Sequence, residues 1–333
     1  MGYRLETLLA WVCRSDCAPW LSGSAAEELS MRRKWYGGDT ELSIRMFVVL
    51  FLLAAVYLAF LWVLWEAGVG TITLVFVAAV MLGIQYFMSD RLVLWSMGAH
   101  VVSPEQAPEL HATVERLAQM ADLPKPRVAI ANTQVPNAFA TGRSPNHSVI
   151  CVTTGLLNRL NSAEIEGVLA HELTHVKNRD VMVITLASFL STVAFLVMRS
   201  FMFTGMGGGL GRRRGRDSGS AVLLVYLAAL IVWAISYVLI RALSRYREYA
   251  ADRGSAILTG APSELASALM KISGAMQRIP QRDLREVQGL NAFFILPAIS
   301  GASLMELFST HPSLEHRLER LERLEQQMHA RGQ

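Results

Sequence analysis

Long apolar runs alternate along this sequence with polar, amphipathic stretches, and the runs set its organisation. Four of them are close to the length that spans about 30 Å of hydrocarbon as a helix, and they cover 46–65, 70–88, 181–198 and 221–240. The first two, which Gln85 alone interrupts, predict a transmembrane hairpin over 46–88. The other two predict a second apolar hairpin over 181–240, with a loop rich in glycine and arginine between them.

The remaining stretches have the patterning of folded polar structure. A basic segment, 1–45, precedes the first run. We predict that 89–180 and 241–333 are two parts of one domain, which the second apolar hairpin interrupts.

Local signals predict helices and strands in the first of these parts. Ser103 and Gln106 have the spacing of a capping box and predict the start of a helix there. The β-rich stretches 127–132 and 147–154, each bounded by turn residues, predict a small antiparallel sheet. Asn161 precedes a further amphipathic helix and is expected to cap it.

Composition supports a membrane protein whose polar part is substantial. Of the 333 residues, 52% are apolar and 17% are charged, against about 25% charged in an ordinary soluble domain. The net charge is +4, but no nucleic-acid recognition motif accompanies the basic clusters, which favours contact with a lipid bilayer and no nucleic-acid partner. Three cysteines give no disulfide framework and fit a reducing compartment.

Charge around the first hairpin predicts the orientation in the cell membrane. The N-terminal segment is basic and the turn after the first run carries Glu66, so the N-terminus is expected in the cytoplasm. A multi-pass arrangement then places the polar domain and both termini in the cytoplasm. The four arginines of the later loop (Arg212, Arg213, Arg214, Arg216) oppose this if both later runs span. We favour two spanning helices, and the alternative is a hairpin packed at or partly into the membrane.

The motif H-E-x-x-H occurs at His171, Glu172 and His175. On a helix, positions four apart share a face, so both imidazoles can reach one ion and the glutamate can act as general base. The alternative is a helix with two solvated histidines. A catalytic zinc has three protein ligands and an open position, so a third ligand has to come from elsewhere.

The stretch after the fourth apolar run offers that ligand. Glu248 and Asp252 lie four residues apart, so one can bind zinc while the other orients a ligand imidazole. The alternative is a surface charge network with Arg245 and Arg247, as is common on charged helices.

Three motifs in order, "AHELTHVKNRD", "SRYREYAAD" and "STHPSLEHRL", with "PNAFATG" upstream, resemble the HtpX-type membrane zinc endopeptidases, relatives of the CaaX prenyl proteases. The resemblance covers about residues 40–333. It implies membrane α-helices joined to an α+β zincin-like (gluzincin) catalytic domain, with the H-E-x-x-H helix beside the small antiparallel sheet. It also implies one Zn²⁺ per chain and polypeptide substrates, above all membrane proteins.

The resemblance assigns roles to matching positions. It implies that His171, His175 and Glu248 bind zinc and that Glu172 is the catalytic base. Asp252 and Arg317 are expected beside the site, Asp252 orienting a histidine. His311 is expected to stabilise the oxyanion, although a histidine before Pro312 at a helix start is the alternative. An extended substrate is expected to pair with an edge strand at Asn137, Ala138, Phe139, Ala140 and Thr141.

These inferences predict a membrane-bound zinc endopeptidase that cleaves membrane or misfolded proteins at the cytoplasmic face, in membrane protein quality control. The main alternative is a catalytically inactive, membrane-anchored scaffold or chaperone, which the intact Glu172 disfavours. A transporter is disfavoured because the first two runs carry no charged residue. An intramembrane protease is disfavoured by the polar residues around the motif, which indicate a site in water (Glu164, Glu166, Lys177, Asn178, Arg179, Asp180).

Overall fold

The computed structural model describes residues 40–66, 76, 80, 83, 87, 91, 93–205, 218–276, 278 and 312–331. The α-helices whose bounds the structure gives are α1 Thr40–Glu66, α2 Pro108–Met120, α3 Thr154–Leu157, α4 Ser162–Lys177, α5 Asp180–Gly205, α6 Ser218–Thr259, α7 Pro262–Met276 and α8 Leu314–Arg331. The described part also contains four strands: β1 Ala99–Val101, β2 Arg127–Ala131, β3 Ala138–Thr141 and β4 Val149–Thr153.

Helices α1, α5 and α6 pack together through apolar side chains, among them Leu53, Phe60, Ala187 and Ala229. Apolar side chains also point outward, and helices that are apolar on every side are typical of membrane spans. Examples of the outward side chains are Phe51, Trp62, Leu224 and Ile231. By length and composition, Thr40–Glu66 and Leu223–Thr259 could each cross a membrane.

The helices contain three of the four predicted apolar runs. Run 46–65 lies within α1, 181–198 within α5 and 221–240 within α6. The fourth run does not end its helix, because α6 continues without a break for 42 residues, to Thr259. Most of 70–88, and the loop at 206–217, lie outside the described residues.

The four strands form one sheet in the order β1-β2-β4-β3. The pairs β1–β2 and β3–β4 are antiparallel, whereas β2 and β4 run parallel. The sheet is therefore mixed, and the prediction of a purely antiparallel sheet is wrong in this respect. The reason is that β4 forms a hairpin with β3 and also inserts beside β2, which leaves β3 at one edge of the sheet and β1 at the other.

The turn that closes this hairpin depends on Gly142. Its φ is +135°, and a side chain there would overlap the backbone of His147 and Ser148. Only glycine adopts this conformation without strain. The turn thus directs β4 into the centre of the sheet, where all five of its residues are buried.

Helix α4 begins as the sequence predicts. The Asn161 side chain accepts a hydrogen bond from the Glu164 N–H, and Glu164 accepts one from the Asn161 N–H, which completes a capping box. Helix α2 instead begins at Pro108, four residues after the predicted start. Gln106 does accept the predicted hydrogen bond from the Ser103 N–H, at 2.8 Å, but the intervening backbone forms a turn.

Candidate metal centre

The motif histidines lie on one face of α4, one helical turn apart. The Nε2 atoms of His171 and His175 are 3.1 Å from each other. His171 and Glu172 are buried, whereas His175 is partly exposed. Since two ring nitrogens at this distance cannot both carry a proton, the pair is suited to share one proton or one ion.

Helix α6 carries Glu248 to this pair of histidines. Its Oε1 lies 3.6 Å from His175 Nε2, and its Oε2 lies 3.6 Å from His171 Nε2. Glu248 and Asp252 are only 6% and 1% exposed. The alternative interpretation of these carboxylates as part of a surface charge network is therefore wrong.

Small residues let α6 approach α4 closely enough for these contacts. The Cα of Gly254 faces Thr174, and a Cβ at Gly254 would overlap the threonine side chain. One residue on, the Ser255 hydroxyl donates a hydrogen bond to the Gly167 carbonyl at 2.7 Å. The positions of the two histidines and of Glu248 therefore depend on this helix crossing.

His171 is held from behind by a buried ion pair. Its Nδ1 lies 3.0 Å from Asp252 Oδ1. Arg317, from α8, donates to both Asp252 oxygens, with Nε 2.9 Å from Oδ2 and Nη2 2.5 Å from Oδ1. The guanidinium is fully buried and also lies 3.4 Å from Glu248 Oε2. The structure thus places Asp252 and Arg317 next to His171 and Glu248.

His175 has a corresponding partner that the sequence did not reveal. Its Nδ1 lies 2.6 Å from Oδ2 of Asp180, and Asp180 in turn forms an ion pair with Arg247 of α6. On a continuous helix, positions 175 and 180 would be about 140° apart. The chain instead breaks at Arg179, which has a φ of +55°, and this break turns Asp180 back towards the histidine.

The polar residues around the motif are less exposed than the sequence suggested. Glu164 and Asp180, two of the polar residues expected to indicate a site in water, are buried in contacts with other protein groups. Arg179 is exposed, so the break between α4 and α5 does reach the surface.

The donor set fits one metal ion. The ligand atoms offered by His171, His175 and Glu248 all lie within 4.8 Å of one another. Zinc bonds of about 2.0–2.1 Å in a tetrahedral arrangement put neighbouring ligand atoms about 3.3–3.4 Å apart. The two Nε2 atoms are 3.1 Å apart, and each lies 3.6 Å from one of the two Glu248 oxygens, so all three side chains come close to the spacing of zinc ligands. Two imidazoles and a carboxylate are also the ligands that zinc takes in hydrolytic enzymes.

Electrostatics distinguishes the two histidines of the metal-free chain. Burial disfavours a charged His171, but hydrogen bonds to Asp252 and Glu248 outweigh it and raise the pKa of His171 to about 9. Burial and the neighbouring His171 lower the pKa of His175. Of the two histidines, His171 therefore holds a proton more strongly, and a bound metal would compete with that proton.

A shallow cleft opens beside His175, between the end of β3 and the start of α5. Ala140 and Thr141 line one side of it, and Val181 and Met182 line the other. The predicted substrate segment, Asn137 to Thr141, includes β3, one of the two edge strands of the sheet. His311 lies outside the described residues, so its role remains a prediction.

Comparison with known proteins identifies the family. Residues 104–325, two thirds of the chain, match the sequence model of peptidase family M48. The chain belongs to peptidase family M48. This M48 peptidase is 63% identical over 299 residues to a protein named Protease HtpX homolog from Moorella thermoacetica, covering 90% of this chain and 99% of the relative. It is 58% identical to Protease HtpX homolog 2 of Methanosarcina acetivorans, covering 90% and 100% respectively.

The fold is also that of a solved structure. Ste24p of S. mikatae superposes with a TM-score of 0.50 at 20% identity, over 84% of this chain and 66% of that one. The comparisons confirm the predicted resemblance to HtpX-type proteases and the zincin-like fold class. The chain is accordingly a metallopeptidase that acts on polypeptides, and its two long apolar helices fit a membrane protein.

Proposed function

We propose that this M48 peptidase is a membrane-bound zinc endopeptidase. It hydrolyses peptide bonds of membrane or misfolded proteins at the cytoplasmic face of the cell membrane, as part of membrane protein quality control. His171, His175 and Glu248 would hold one zinc ion, which when bound supplies the Lewis acidity that activates water and polarises a carbonyl.

The residues of the chain then have distinct tasks. Glu172, next to His171 in α4, takes a proton from the attacking water and passes it to the leaving amine. Asp252 and Arg317 fix the orientation of His171 from behind. His311, assigned on resemblance, stabilises the oxyanion.

The observation that carries the membrane part of the proposal is the continuity of α6. One helix contains both an apolar stretch of spanning length and Glu248. Glu248 lies eight positions after Ile240, the end of the predicted run, a distance of about 12 Å along a helix. A metal at this position is within reach of polypeptide that leaves the bilayer or lies on it.

The substrate is proposed to lie along β3. An extended peptide can add to an outer strand by backbone hydrogen bonds, and β3 leads directly to the cleft beside His175. A protease that recognises its substrate through backbone hydrogen bonds accepts many different sequences, provided that the segment is unfolded. Misfolded proteins meet this condition.

Two variants of the detergent-purified protein test the chemistry. We expect Glu172→Gln to keep one zinc per chain while casein cleavage falls about 10²–10⁴-fold, the usual contribution of a general base. We expect Glu248→Ala to lose both zinc and cleavage. Zinc is measured by mass spectrometry on the same preparations.

Glu166→Gln is the matched control, because Glu166 lies on the same helix and pairs with Arg116 at the surface. It should retain zinc and activity. If Glu172→Gln cleaves as fast as the control, the mechanism is wrong. If the wild-type protein binds zinc but cleaves nothing, the inactive scaffold becomes the better interpretation.

Cysteine labelling tests the proposed topology. In a variant without native cysteines, a cysteine at Gly208, in the loop between α5 and α6, should react with a membrane-impermeant reagent from outside intact cells. A cysteine at the exposed Gln327 of α8 should react only after the cells are opened. Labelling of position 208 only in opened cells would rule out two spanning helices.

A further inference from the structure

The contact between His175 and Asp180 is built into a break in the chain. Helix α4 ends at Lys177, and α5 begins at Asp180. Between them the Arg179 backbone lies in the left-handed region, with a φ of +55°. For a residue with a side chain, such as arginine, this conformation is less stable than the right-handed one by about 1 kcal/mol or more. The break places the Asp180 Oδ2 2.6 Å from the Nδ1 of His175.

The carboxylate is buried and is compensated by a buried cation. Asp180 and Arg247 are 6% and 4% exposed, and their side chains form an ion pair. The Arg247 Nη2 also donates a hydrogen bond to the carbonyl of Asn178, at 3.3 Å, in the segment between the helices. Burying a charged pair costs free energy, because both groups lose their hydration. A buried pair in this position is therefore a candidate for a role in fixing the geometry around it.

Arg247 also links this contact to the third proposed ligand. It immediately precedes Glu248 in α6. One arginine therefore ties the backbone just after His175 to the helix turn that carries Glu248. On the other side of the donor set, Arg317 and Asp252 hold His171 in the same manner.

We infer that Asp180 is a positioning residue for His175, an inference that rests on the proposed zinc site. The Asp180 carboxylate accepts a hydrogen bond from the Nδ1–H of His175. This leaves the Nε2 lone pair free for a metal and fixes the ring so that Nε2 points towards His171 and Glu248. Arg247 acts through Asp180, by keeping its carboxylate charged and in place. Each proposed histidine ligand thus has its own carboxylate and arginine. The sequence motifs predicted only the carboxylate and arginine beside His171, which are Asp252 and Arg317.

Zinc affinity of the full-length protein tests the inference independently of cleavage. Removing a group that orients a ligand histidine costs about 10–100-fold in metal affinity. We expect that loss for Asp180→Ala, measured by competition with a chromogenic chelator. Asp180→Asn, whose amide oxygen can still accept from Nδ1, should recover most of the affinity. Glu166→Gln should bind zinc as the wild type does.

Cobalt substitution gives a second readout that a purely structural role would not change. The visible absorption of bound Co²⁺ reports its ligand geometry, and we expect a shifted spectrum in Asp180→Ala and a nearly normal one in Asp180→Asn. Arg247→Met should weaken zinc binding in the wild type but add little in the Asp180→Ala background, because it acts through Asp180. If Asp180→Ala does not fold, Asp180→Asn and Arg247→Met carry the test.

The outcomes separate this inference from the proposed function. If the wild type binds no zinc, the proposed function fails and the inference fails with it. If the wild type binds zinc and Asp180→Ala binds it equally tightly with an unchanged cobalt spectrum, only the positioning role is refuted. Equal losses in Asp180→Ala and Asp180→Asn would also refute it, since the hydrogen bond alone would then be irrelevant.

Discussion

Replacing Gly254 with alanine should open the helix crossing on which the candidate site depends. The new Cβ would overlap the Thr174 Cγ2 and Oγ1 and lie 3.0 Å from the Thr174 Cβ. The Cγ2 would be only 2.4 Å away, whereas carbon atoms pack best about 3.5–4.0 Å apart, so α4 and α6 have to separate by about 1–1.5 Å. Thr174 cannot turn away easily, because it is buried and its hydroxyl donates to the Ala170 carbonyl at 2.9 Å.

Overpacking of this size destabilises a protein by about 1–3 kcal/mol. The chain offers a matched control, because Gly274 also lies within a helix and a Cβ there would meet nothing within 4 Å. Gly274→Ala should therefore stabilise the protein slightly, by about 0.5–1 kcal/mol. The two alanine variants are thus predicted to change stability in opposite directions.

Thermal unfolding in detergent and zinc affinity measure the two consequences. Gly254→Ala should unfold at a lower temperature than the wild type and bind zinc more weakly, because Glu248 moves away from the histidines. Adding Thr174→Ala should recover part of both losses by removing the overlapping atoms. If Gly254→Ala unfolds at or above the wild-type temperature, as Gly274→Ala should, the close crossing described here is incorrect.

Two further predictions concern buried charges. Arg317→Met leaves Asp252 buried without its arginine and should lower the free energy of unfolding, measured by denaturant titration, by about 3–5 kcal/mol. If the double variant with Asp252→Asn recovers none of this loss, the explanation is refuted. Burial raises the pKa of Glu164, but hydrogen bonds from Lys271 and Ser267 outweigh it and hold that pKa below the ordinary value. The ionised Glu164 therefore contributes stability above pH about 4.3 that is lost as the pH falls through the lowered pKa. The difference in melting temperature between wild type and Glu164→Gln should shrink over that range, and a constant difference would contradict the assignment.

Local signals in the sequence predicted the site helix well. Asn161 and Glu164 specify the start of α4 through side chains that satisfy its first N–H groups, so neighbours in the chain are sufficient. Ser103 and Gln106 carry the same kind of signal and form the expected hydrogen bond, yet α2 begins only at Pro108. A capping interaction can thus close a turn without starting a helix.

What the sequence could not predict depends on partners that are distant in the chain. The left-handed backbone at Arg179 could not be predicted from the residue type, since glycine and asparagine are the residues that usually adopt it. Its break is held by Arg247, which is 68 positions away. The parallel pairing of β2 with β4 likewise follows from where β4 inserts, and no alternation within either strand encodes that choice.

With α6 spanning the bilayer and Glu248 binding the metal, as proposed above, the unbroken course of α6 would couple the mechanics of the bilayer to the chemistry of the site. Because no loop separates its apolar half from Glu248, the helix transmits tilt as a rigid rod. Over the roughly 12 Å from Ile240 to Glu248, a tilt of about 10° moves the carboxylate by about 2 Å, which equals the length of a metal–ligand bond. Tilts of this size accompany changes in hydrocarbon thickness. Bilayer thickness is therefore expected to act as an adjustable parameter of the metal geometry.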